Sequence, residues 1–99
     1  MHTHKSASHD KLIAIEWETL RDLRKLLSNP ELSTGEITRV ANALAYHASV
    51  LNKLLSQRGE DSQFDDATLG DFIRGVDART FRLVRRDFRV WKRRLSFKR

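Results

Sequence analysis

Apolar residues recur along this chain three and four apart, the period of a helix with one buried face. From Asp10 to Ser28, Ile13, Trp17, Leu20, Leu23, Leu26 and Leu27 hold that spacing, and Ser8 or Asp10 can cap the start. Asn29-Pro30 ends the segment, because proline biases the preceding residue away from helical backbone. Ser33-Thr34-Gly35-Glu36 then reads as a capping box, with Ser33 as N-cap and Glu36 at N3. Ile37, Val40, Ala41, Leu44, Ala48, Leu51, Leu54 and Leu55 continue it as a second long helix, closed by Arg58-Gly59. Ala41, Ala43, Ala45 and Ala48 are small enough to let a neighbouring helix come close.

Gly59 to Asp66 is an acidic, solvated connector, and the sequence leaves open whether its charge folds back on the basic end of the chain to compete with a polyanion. Ala67 to Gly75 is a short helix capped by Asp65 or Asp66, with Leu69, Phe72 and Ile73 facing inward. Gly75 breaks it, Val76 packs, and Asp77 caps a last helix, 78–99. There Phe81, Val84, Phe88, Trp91 and Leu95 form an apolar seam, while Arg82, Arg85, Arg86, Arg89, Lys92 and Arg93 fill a separate arc of about 120°. Leu83, Val90 and Phe97 make a weaker apolar line elsewhere on the same helix. The expected fold is all-α: a small four-helix domain, with a long antiparallel hairpin carrying the short helix and the basic one. Residues 1–9 are expected to be a flexible terminus and 10–99 a single domain.

Charge sharpens this picture. The last 22 residues hold ten Lys or Arg against one acid, Asp87, a net +9, whereas the other 77 residues sum to −3. Such a bias points to a polyanionic partner. Eight of the ten are arginine, whose planar fork binds phosphate in two places at once. The candidate phosphate-binding set is therefore Arg79, Arg82, Arg85, Arg86, Arg89, Lys92, Arg93, Arg94, Lys98 and Arg99. An anionic membrane surface is a weaker fit, since the aromatic seam is needed for a core this small.

Other chemistry is thinly represented. The chain lacks cysteine, a glycine-rich phosphate loop and a nucleophile motif, and an enzyme is not expected. No cofactor is implied. His2, His4 and His9 read as a polar end rather than a metal site, and His47 as a hydrogen-bonded packing histidine. The acids of 59–66 lack the order of a calcium loop. No apolar run approaches the ~18 residues needed to span a bilayer, and the first residues lack a signal peptide's apolar core. A soluble intracellular protein, cytoplasmic or nucleoid-associated, is expected.

Thr68 to Phe88, TLGDFIRGVDARTFRLVRRDF, resembles a helix-turn-helix: a short helix, Gly75 and Val76 in the turn, then Phe81 and Val84 at the buried positions of a recognition helix. Asp71 stands where that motif has a small residue, and Arg74 where it has an apolar one. The resemblance implies that Arg79, Arg82, Arg85 and Arg86 approach the major groove. RRLSFKR, 93–99, is similar to the basic end of a homeodomain's third helix. Lys92 replaces that family's base-reading Asn, and Trp91 is out of register with its buried Trp, which implies backbone contact rather than base reading. The expected function is thus nucleic-acid binding, to DNA more than RNA, with homodimerisation open. The alternative is a helical oligomerisation or adaptor protein of the viral or phage packaging type. In it the alanine-lined second helix and the leucine-rich first helix form the interface, and the basic helix meets an acidic protein.

Overall fold

A computed structural model of the chain describes residues 2–59 and 64–96, with side chains for 9–59 and 64–95. Among them are four helices and no strand: α1 (His2–Leu27), α2 (Thr34–Gln57), α3 (Asp66–Phe72) and α4 (Ala78–Ser96). The all-α expectation holds. Helix α1 starts at His2, upstream of the expected caps at Ser8 and Asp10, so neither residue is at its N-terminus. Helix α3 is shorter than its apolar pattern suggests and stops at Phe72, before the glycine. Phe97, Lys98 and Arg99 lie outside the described residues, as do most of the acidic connector, 60–63.

Helix α2 is the middle of the molecule. Its capping box forms as the sequence dictates: Glu36 N–H donates to Ser33 Oγ, and Ser33 N–H donates to Glu36 Oε1. Ala41, Leu44, Ala45, Ala48 and Leu51 are fully buried. The two flanks of α2 then take different neighbours. On one flank His47 Nδ1 meets Glu16 Oε1 at 2.7 Å, and Arg58 pairs with Asp10, which fixes α1 as the antiparallel partner. On the other flank Trp91 Nε1 donates to Asn42 Oδ1 at 2.8 Å and Lys53 Nζ donates to Leu95 O at 3.0 Å, so α4 climbs alongside α2 in the same direction.

The three long helices make a layer, and one face of it is closed by Phe64 and α3. Phe64 is buried among Trp17 of α1, Phe72 of α3 and Phe88 of α4, with ring centroids 5.3, 6.0 and 6.4 Å away and edge-on geometry throughout. Such pairs contribute about 0.5–1.5 kcal/mol each beyond the area they bury. Leu20, Leu69, Ile73 and Val84 complete this core. Leu26, counted as part of the buried stripe by its spacing, is instead 46% exposed. Of the alanines expected to serve an oligomeric interface, Ala41, Ala45 and Ala48 are consumed inside the chain, while Ala43 is half-buried.

Candidate functional site

The presentation of α4 begins at the turn before it. Gly75 has φ +102°, a backbone that side chains with a Cβ rarely adopt, and a Cβ there would sit 3.2 Å from Arg24 Nη2. That same Nη2 donates to Arg74 O at 2.8 Å, so α1 ties down the turn. Nothing in the spacing of α1 signalled this role for Arg24.

Both short-helix junctions are capped by aspartate. Asp65 Oδ1 accepts from Thr68 N–H at 3.0 Å, and Asp77 Oδ1 accepts from Thr80 N–H at 2.9 Å. The backbone N–H bonds, followed by the threonine hydroxyls, hold both carboxyls below their ordinary value of 3.8. Asp65, rather than Asp66, is the cap of α3.

Across this turn α3 lies against the first half of α4. A Cβ on Gly70 would meet the Phe81 ring at 3.6 Å. The small residue of α3 that faces α4 is therefore Gly70, and Asp71, one position later, is exposed and pairs with Arg74 at 2.6 Å. This accounts for an acid at the position where the helix-turn-helix pattern has a small residue.

The apolar seam of α4 is buried as its spacing requires. Val84 and Phe88 are fully buried, while Phe81, Trp91 and Leu95 are half-buried. The basic residues divide into three groups. Arg85 and Arg89 turn toward α3, where Arg89 Nε is 3.4 Å and Arg85 Nη2 is 4.0 Å from Asp66 Oδ2. Arg85 also lies over the Phe81 ring, and Lys92 over that of Phe88. On the open side Arg94 lies over the Trp91 ring at 5.2 Å. Away from both, Arg79 and Arg82 are exposed. Arg79 feels the field of Asp77, and Arg82 has no hydrogen bond or ion pair among the described residues. With Leu83 and Arg86 they line a shallow groove of about 290 Å³. Arg86 pairs sideways with its neighbour Asp87 at 3.1 Å and stays exposed.

Arg79, Arg82, Arg86, Arg89 and Arg93 are spaced +3, +4, +3 and +4, which makes them one line along α4, about 21 Å long at 1.5 Å per residue. Helical geometry puts this line roughly opposite Trp91 and Leu95, the residues that touch α2, so it forms the lateral edge of the layer. Of the ten candidate residues, five fall on this line, three (Arg85, Lys92 and Arg94) sit against rings or Asp66, and Lys98 and Arg99 lie outside the described residues. Asp66, the first residue of α3, is the acid that Arg85 and Arg89 meet.

His47 is a packing residue bonded to Glu16, as its position in the stripe suggests. No group of three or more metal-ligating side chains occurs among the described residues, and no described helix is long and apolar enough to cross a membrane. Compared with known proteins, the chain matches no family model, no curated protein and no solved structure.

Proposed function

We propose that this protein is a nucleic-acid-binding module, acting on DNA more than RNA, that contacts phosphates through the outward edge of α4. The observation that carries this reading is the arginine line itself. Arg79, Arg82, Arg86 and Arg93 are exposed and in register over about 21 Å, and Arg82 has no partner among the described residues, which leaves cationic capacity directed at solvent. Holding like charges side by side costs stability, and nothing in the core needs them there. Arginine rather than lysine suits a repeated phosphate ligand, because its fork makes paired charge-assisted hydrogen bonds.

The capped turn supports a finer reading. It fixes the angle at which the first turns of α4 leave α3, so Arg79, Arg82 and Arg86 would enter a groove first while Arg93 runs along the backbone. The alternative, an assembly module built on the alanines of α2, loses support because Ala41, Ala45 and Ala48 are sealed inside the chain.

Titration of labelled duplex DNA, single-stranded DNA and RNA by fluorescence anisotropy at several salt concentrations tests the proposal. Four neutralised phosphates give a slope of log K on log salt of about −3.6 on duplex DNA, and shallower on single strands. An affinity that ignores salt, or no binding in low salt, would overturn it.

A further inference from the structure

The layer α1–α2–α4 has two faces, and only one is closed. Phe64 and α3 cover the face that holds Trp17 and Phe88. On the opposite face α1 presents Leu12, Ile15, Thr19, Asp22 and Leu26, spaced +3, +4, +3 and +4, a straight line about 21 Å long. Leu12, Ile15 and Leu26 are 48%, 54% and 46% exposed. Helix α2 turns Tyr46 to this side, two residues from both Leu44 and Ala48 and so pointing away from the core. On α4, Val90 lies toward the same side. The five large apolar residues that the described chain leaves exposed thus share one face, where scattered singles are the norm for a monomer.

We propose that this face is the homodimer interface of the protein, with α1 of one copy lying over α2 and α4 of the other. The face is complementary to itself in shape. The leucine–isoleucine line of α1 is a ridge, and between α2 and α4 runs a depression of about 730 Å³ lined by Arg39, Ala43, Tyr46, His47 and Trp91 among others. A two-fold axis along α2 sets each ridge over the partner's depression. The face is also complementary in charge. The ridge carries Asp22 in its line, whereas the far side carries Arg39 beside Tyr46, and Arg94 over the Trp91 ring at 5.2 Å. Its size suffices. Three helices 8–10 Å apart, the shortest about 28 Å long, offer on the order of 600 Å² per copy, the lower end of stable interfaces. This inference uses residues off the arginine line and does not depend on nucleic-acid binding.

Sedimentation equilibrium of the full chain without nucleic acid tests it, at about 50 μM, within the range where interfaces of this size associate. The expected mass is twice the 11.6 kDa of the chain. Ile15→Lys should raise the dimer dissociation constant at least tenfold, with the helical circular dichroism unchanged because Ile15 is 54% exposed. Leu12→Ser, a milder change on the same ridge, should raise it less. Arg21→Glu, a charge change on an exposed residue about 140° around α1 from the ridge line, should leave it unaltered. A wild-type chain that stays monomeric at that concentration overturns the proposal and leaves the face to a different protein. So does a dimer indifferent to both Ile15→Lys and Leu12→Ser, which must be held elsewhere.

Discussion

Arg82 and Arg85 are three residues apart on one helix, and the fold treats them in opposite ways. Arg85 faces α3, where Asp66 and the Phe81 ring hold it, and its Nε is buried without a hydrogen-bond partner among the described residues. Arg82 faces solvent and is held by nothing described. The edge of α4 toward α3 is a self-neutralised surface, and the outward edge, the proposed ligand surface, leaves its charge to solvent. Counting cations on a helix therefore overstates what a polyanion can use, because part of the charge has already been answered from within.

The sharpest way to break that comparison is to reverse charge on each edge separately. Arg79→Glu with Arg82→Glu removes two phosphate partners. By counterion release each is worth about eightfold at 0.1 M salt, so the pair should lower DNA affinity about 60-fold or more and flatten the salt slope by nearly 2. The fold should tolerate it, since acids are favourable in the first turn of a helix and α4 has none there. Arg85→Glu with Arg89→Glu gives a different outcome. It places two new carboxylates against Asp66, so the denaturation midpoint should fall, as it does not for the outward pair. Equal losses of affinity with equal stabilities would mean that the two edges do not differ.

The second test works from Asp66. Its Oδ1 is buried without a partner, opposite the similarly unpartnered Arg85 Nε, while Oδ2 is stretched between two guanidinium groups at 3.4 and 4.0 Å. Three partly exposed groups in such geometry contribute no more than about 1 kcal/mol. Asp66→Asn keeps the shape and removes the charge, so Arg85 and Arg89 become available to phosphate. DNA affinity should rise about tenfold at 0.1 M salt, and the salt slope should steepen by about 1 to 2. The same change made with Arg85 and Arg89 replaced by alanine should have no effect on affinity. A gain that survives in that background would come from net charge alone and not from release of the pair.

How much of this was legible in the sequence depends on the range of the interaction. The capping box at Ser33, the stop at Asn29-Pro30, the turn at Gly75 and the seam from Phe81 to Leu95 are local. They need only spacing and residue type, and all appear where the pattern puts them. What failed was knowing which side of a helix its neighbours cover. Leu26 keeps helical spacing with Leu23 and Leu27, yet it belongs to the line of Leu12 and Ile15. That line was readable as a +3, +4 repeat, but with two overlapping repeats on α1 no local rule says which one the core takes. The alanines of α2 were read correctly as a site of close approach. Only the position of α4, set by Asn42 meeting Trp91, shows that the approaching helix belongs to the same chain. Arg24 reaching Arg74 O, fifty residues away, has no trace in the sequence at all.

The smallest effect lies in acid and separates the capped turn before α4 from the outward edge of that helix. Asp65 and Asp77 cap either side of the turn, with carboxyls held below 3.8 chiefly by the backbone N–H groups of Thr68 and Thr80. A depressed carboxylate contributes stability that is fully present above its unfolded value and is lost as pH falls through the lower folded value. The urea midpoint, followed by the fluorescence of Trp17 against Phe64 and Phe72, should therefore be level from neutral pH down to about 5, then decline below 3.8. Asp77→Asn retains a capping oxygen but cannot titrate, so its decline should be shallower. The guanidinium groups of Arg79, Arg82 and Arg86 stay charged throughout. DNA affinity per folded molecule should therefore stay constant along the outward edge while the capped turn loosens.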